Sequence, residues 1–160
     1  GVVAARPGRS VQLEEVDSRP LDAAPSPADR LRDEVLDRLY DRDNPGAIRS
    51  YEAMLAQRPE ALLPEKQQLE LANLLAQAQR HGLAARAYER FLSGYPTASD
   101  RGQVHLLLGM IYGRYLQRYE EAVSHLREAL ERVSAPAQRA LAESELRTAL
   151  DRLHAQGGTA

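Results

Sequence analysis

The chain is 160 residues long, with 21 Lys and Arg against 23 Asp and Glu, no Cys and no Trp. A chain of this order buries about 70% of its unfolded surface, enough for one domain with a real core, and a net charge of −2 lacks the basic footprint of a nucleic-acid binder. No run of about 18 apolar residues is present to span a bilayer, Gly1 to Ala5 is too short for a signal peptide, and the missing Cys removes disulfides, thiolate zinc sites and Cys nucleophiles in any redox compartment.

Residues 1–27 are punctuated by Pro7, Pro20, Pro25 and Pro27 and show no helical period. Val11, Leu13 and Glu15 alternate imperfectly with Gln12 and Glu14, so this stretch reads equally as a short hairpin or an extended tether. A lone two-stranded ribbon is marginal in water and would need a partner surface.

From Pro27 the pattern is helical. Pro64 and Pro136 stand where a first helical turn tolerates proline, while Pro59 and Pro96 follow apolar runs where helices stop. Asn44-Pro45-Gly46, His81-Gly82 and Tyr95-Pro96 break the stretch into segments of helix-hairpin length. The expectation is an all-α domain over residues 28–154, followed by a flexible tail over 155–160.

Self-comparison is more informative than any motif. Ala47 to Leu55, Ala84 to Leu92 and Ala122 to Leu130 align at offsets of 37 and 38 residues. Each has a small residue, then an aromatic or Leu four positions on, then an apolar or small residue three further: Ala47, Tyr51 and Met54; Ala84, Tyr88 and Phe91; Ala122, Leu126 and Ala129. The small residue lets a neighbouring helix approach, and the bulky ones fill the next layer. Upstream stand Val35-Leu36 and Leu39, Leu71-Ala72 and Leu75, and Leu108-Gly109 and Tyr112.

With Pro59 and Pro96 closing two of the units, these residues resemble the tetratricopeptide repeat (TPR) family. The third unit departs from its pattern, with His105 at the usual aromatic position, Ser134 for the closing Pro and one extra residue between Gly109 and Ala122. The resemblance implies a right-handed α-solenoid of about three helix-turn-helix repeats, with a non-helical N-terminal extension. Residues 136–154, with Ala142, Leu146, Ala149, Leu150 and Leu153 on one face, read as the C-terminal capping helix such a stack requires.

Chemistry-bearing constellations are few. Asp41-Arg42-Asp43-Asn44-Pro45-Gly46, with Ile48 and Glu52, nearly copies a calcium-binding loop, but Pro45 lacks a ligating oxygen and the aligned repeat puts Glu52 on a helix. The stretch reads better as a turn in which Asp43 or Asn44 caps the next helix. His81, His105, His125 and His154 have no metal-ligand spacing and read as packed or solvated side chains. No nucleophile elbow or phosphate loop is present. The expectation is a non-enzyme with no cofactor and no metal.

The resemblance implies function. In this family the first helix of each pair lines a concave groove that takes an extended or helical segment of a partner protein. Carried over, the lining residues are Asp33, Asp37 and Tyr40; then Lys66 (the one Lys of the chain), Leu69, Asn73 and Gln77; then Leu106, Met110 and Arg114. Asn73 alone matches the carboxylate-holding set of the chaperone-binding members, so a chaperone tail is not the expected ligand. Phe91-Leu92 with Tyr95-Pro96 is similar to repeats of bacterial envelope-assembly and secretion accessory proteins, which implies the soluble part of a membrane-associated assembly on its cytoplasmic or periplasmic side. The expected role is a scaffold or adaptor for a protein or peptide partner, with no nucleic acid and no membrane insertion by this chain. The alternative is a self-association module, a homo-oligomer that gathers its parent protein.

Overall fold

Ser26 opens the first helix by a reciprocal cap. Its Oγ accepts the Asp29 N–H at 3.1 Å, and Asp29 Oδ2 accepts the Ser26 N–H at 3.2 Å, ahead of Pro27 at the first helical position. The computed structural model describes residues 24–157; the hairpin or tether expected before them, and the last three residues, lie outside that range. Among the described residues the order is α1 (Pro27–Tyr40), α2 (Asn44–Gln57), α3 (Glu65–Gln77), α4 (His81–Gly94), α5 (Arg101–Arg114), α6 (Tyr119–Arg132) and α7 (Pro136–Ala155), with no strand. The all-α repeat architecture is therefore present, as three helical hairpins followed by a seventh helix.

The chain divides between Leu71 and Ala72 into two compact units. In the first, α1 packs on α2 through Val35, Leu39, Ala47, Tyr51, Met54 and Leu55, all at most 5% exposed. Arg58, which caps the end of α2, reaches Asp29 Oδ1 at 3.3 Å and Ser26 Oγ at 3.2 Å, tying the end of the hairpin to its beginning. The fully buried Gln68 accepts the Leu63 N–H at 3.0 Å and donates to the Tyr51 hydroxyl at 3.3 Å. A buried amide is tolerable only with such partners.

In the second unit α5 is held by α6 and also touches α4 and α7, and α6 packs on α7. With helices on several sides, α5 buries residues almost all round, from Gly102 to Tyr112. The aligned positions behave alike in both units: Ala47, Ala84, Ala122, Met54, Phe91 and Ala129 are completely buried, and Tyr51, Tyr88 and Leu126 are at most 1% exposed.

The turn inside each hairpin repeats too. Arg42, Gln79 and Gln117 all have left-handed backbone, with φ of 60°, 60° and 54°. After α1, the Arg42 and Asp43 N–H groups donate to the carbonyls of Leu39 and Arg38; after α3, those of Gln79 and Arg80 donate to Ala76 and Leu75. This is the paired closure of a Schellman end, which satisfies the orphan carbonyls of the last turn. After α5 the closing bond runs from the Arg118 N–H to the Tyr112 carbonyl at 2.9 Å. The extra residue of the third unit is absorbed there.

Asp43 caps α2 by accepting the Gly46 N–H at 3.0 Å, and it pairs with Arg38 at 2.9 Å. Glu52 is exposed on α2. The near-copy of a calcium loop is thus a helix entry, with its first ligand positions on the turn and its last on the helix.

Candidate functional site

The first helix of each hairpin was expected to carry the partner-binding residues. On α1, Asp33 and Asp37 are half-buried and Tyr40 stands out at 56% exposure. On the first turns of α3, Lys66 is exposed and Leu69 half-buried. This unit offers a carboxylate pair one turn apart, an aromatic and a cation on polar helix surface.

In the second unit, Asn73 and Gln77 are exposed on the later turns of α3. The Asn73 Oδ1 accepts the hydroxyl of Tyr88 from α4, so its carboxamide is oriented rather than free to swing. Burial pushes the Tyr88 phenol up to about 12, which keeps it a neutral donor. On α5 the three expected positions emerge progressively. Leu106 is 4% exposed and belongs to the core, Met110 is half-buried, and Arg114 is exposed. Leu106 was assigned as if α5 showed one open face; packing on several sides takes that position inside. The Arg114 guanidinium is engaged by Glu145 of α7, with Nε to Oε1 at 2.8 Å.

An open polar cleft of about 530 Å³ lies between the α4–α5 connection and the α6–α7 connection, lined among others by Ser99, Arg101, Gln103, Arg132 and Gln138. Its cations are occupied. Arg101 donates to the carbonyls of Leu92 and Tyr95 at 2.7 and 3.1 Å, and Arg132 to Glu128 at 3.2 Å.

A polar cluster that the sequence did not disclose joins α4, α5 and α6. Glu89 Oε2 accepts the Tyr112 hydroxyl at 2.9 Å and faces His125 Nε2 at 3.2 Å, while His125 Nδ1 meets His105 Nδ1 at 2.9 Å. His105 is 8% exposed. The hydrogen bond from His125, then that from Tyr112, hold the Glu89 carboxyl below its ordinary range against the opposing effect of burial. Burial first, then the charge of His125, push His105 down to about 4. Burial, with the carboxylate it donates to, raises the Tyr112 phenol. His105 at the usual aromatic position was a usable signal for that ring, but nothing in the sequence signalled its meeting with His125. Among the described residues no three His, Asp or Glu side chains converge to hold a metal ion.

No protein-family model matches the chain, and no curated protein sequence is significantly similar to it. Among solved structures it is similar to one described as the crystal structure of MamA protein, with 16% identity, 80% of this chain and 70% of that chain covered, and a TM-score of 0.49. It is also similar to a MamA RS-1 ArsTM double mutant, with 14% identity, 82% and 78% of the two chains covered, and a TM-score of 0.46.

Proposed function

We propose that the chain is a non-catalytic adaptor whose first helices receive an extended or helical segment of a partner protein. The observation that supports this reading most is the repetition itself: three hairpins share one burial register and a left-handed residue in each turn. Repetition of this kind builds recurring surface rather than a single reaction centre. In the first unit Tyr40 and Lys66 are exposed, and in the second Asn73, Gln77 and Arg114 are exposed with Met110 half-buried, each a mixture suited to an internal peptide or a helix. Asp33 and Asp37 suit a basic residue in the partner.

The test is capture by immobilised wild-type chain and by an Asn73→Ala/Met110→Asp variant of matched melting temperature. A partner retained by the wild type and lost from the variant supports the assignment; identical captured sets overturn it.

Self-association is the second reading, favoured by one observation. Leu141 on α7 is 38% exposed, with Leu146 and Leu150 half-buried on the same helix. Sedimentation across a concentration series decides it, since a dimer that forms with rising concentration and disappears in Leu141→Glu places the contact on α7. No helix of the described residues is long and apolar enough to cross a membrane.

A further inference from the structure

The His105–His125 pair has a proton order that the surrounding groups fix. Glu89, held ionised, can only accept, so the 3.2 Å contact requires His125 to carry its proton on Nε2. A neutral His125 then presents a bare Nδ1. The 2.9 Å contact between the two Nδ1 atoms holds one proton, and it belongs to His105. His105 Nε2 is left as a lone pair, buried and without a hydrogen-bond partner, a cheaper orphan than a buried N–H or a buried charge.

From this order we propose that the pair is a proton-operated latch, holding α4, α5 and α6 together while a single proton lies between the two rings and letting go when acid adds another. Each route for the added proton ends badly. A proton on His105 Nε2 places an N–H where no acceptor stands. A proton on His125 Nδ1 sets two N–H groups face to face, unless His105 moves its own proton to that same unpartnered Nε2.

The neighbours do not rescue a cation on His105. The Glu89 carboxylate of α4 contacts the far nitrogen of His125 and favours a charge on that ring, but a proton there still leaves His105 with an N–H on its unpartnered Nε2. From α6 the Glu128 carboxylate favours a charge on His105, but Arg132 on the same helix opposes it and is itself bonded to Glu128; Arg101 of α5 opposes it as well. Tyr112 of α5 stacks on His125, with ring centroids 5.7 Å apart, and carries the Arg118 guanidinium 5.1 Å from its ring centre. On α7, Arg139 is turned to the carbonyls of Leu130 and Val133, and Glu145 to Arg114.

The sign follows. A His whose native proton affinity lies below its unfolded value of about 6.5 stabilises the fold fully above that pH, and the contribution is lost as pH falls toward the native value. With the His105 native value at about 4, the folding equilibrium constant drops about 50-fold between pH 7 and 4.5 from this group alone.

The test is urea unfolding of the full chain from pH 7 to 4.5, for wild type and His105→Asn, joined to nitrogen-detected NMR of the wild-type imidazoles at pH 7. Asn keeps a donor for His125 Nδ1 and does not titrate. The expected result is a fall about 50-fold steeper in wild type, with the His105 proton observed on Nδ1. Parallel curves, or a folded His105 protonated on Nε2, overturn the proposal. Should the Asn variant fail to fold, the wild-type spectra still decide: His105 titrating near 6.5 in the folded chain removes the latch.

Discussion

A Cβ placed on Gly109 of α5 would lie 2.4 Å from Cγ of Leu126 on α6 and 3.4 Å from the Ala122 carbonyl oxygen. The two helices touch backbone to side chain at this point, so the third unit needs its smallest residue on the first helix opposite Leu126 on the second. Leu126 is 1% exposed and cannot swing into solvent. Gly109→Ala therefore costs about 1–3 kcal/mol through overpacking, reversing the roughly 1 kcal/mol that Ala would gain over Gly inside a helix. Gly82→Ala is the control, because nothing lies within 4 Å of a Cβ there. Urea midpoints should move in opposite directions for the two variants.

The hairpin turns carry strain in non-glycine residues. Gln79 and Gln117 occupy left-handed backbone at φ 60° and 54°, a region that costs an L-residue about 1 kcal/mol and glycine almost nothing. Gln79→Gly should raise stability by roughly 0.5–1 kcal/mol after the added freedom of the unfolded chain is subtracted. The same substitution at Gln103, an exposed position on α5, should lower it. Thermal melts that show both substitutions destabilising to the same degree would refute the turn geometry.

The repeat register was legible because packing depth is written in residue size. Ala47, Ala84 and Ala122 mark the close approaches, and the structure buries each of them completely. The hairpin turns were half legible. Asn44-Pro45-Gly46 announces a break, but left-handed Arg42, Gln79 and Gln117 carry no glycine signal. The meeting of His105, His125 and Glu89 was not legible at all, since three helices bring together residues 16, 20 and 36 positions apart. Leu106 failed for a related reason: an apolar residue on a helix that neighbours enclose looks in sequence like one on an open face.

Gln68 is the polar anchor of the first unit. It is fully buried and accepts the Leu63 N–H that leads into α3. Gln68→Leu preserves volume and removes the acceptor, so the cost is the desolvation of that N–H, about 1–3 kcal/mol. Gln68→Glu keeps an acceptor but places a carboxyl beside Tyr51, and its stability should recover as pH falls and the carboxyl becomes protonated. Denaturation of both variants at pH 7 and 5 checks this. Equal stability of Gln68→Leu and wild type would show that the Leu63 contact is not needed.

Arg101 and Arg139 stand 38 residues apart and make the same pair of bonds. Arg101 donates to the Leu92 and Tyr95 carbonyls; Arg139 donates to those of Leu130 and Val133, at 2.8 and 3.0 Å. Each guanidinium supplies the donors that the end of the preceding helix lacks, where a cation also suits the dipole. The equivalence puts α7 in the place of a first helix, as α5 is in the third unit. Two of its buried residues keep the register, Ala142 and Ala149 falling 38 positions after the buried Val104 and Ile111. Arg139→Ala should therefore cost about 1–2 kcal/mol and speed amide exchange along α7 and the last turn of α6, leaving α1 and α2 unchanged. Exchange that rises uniformly over all helices would mean that α7 docks by apolar contact alone, without the staple.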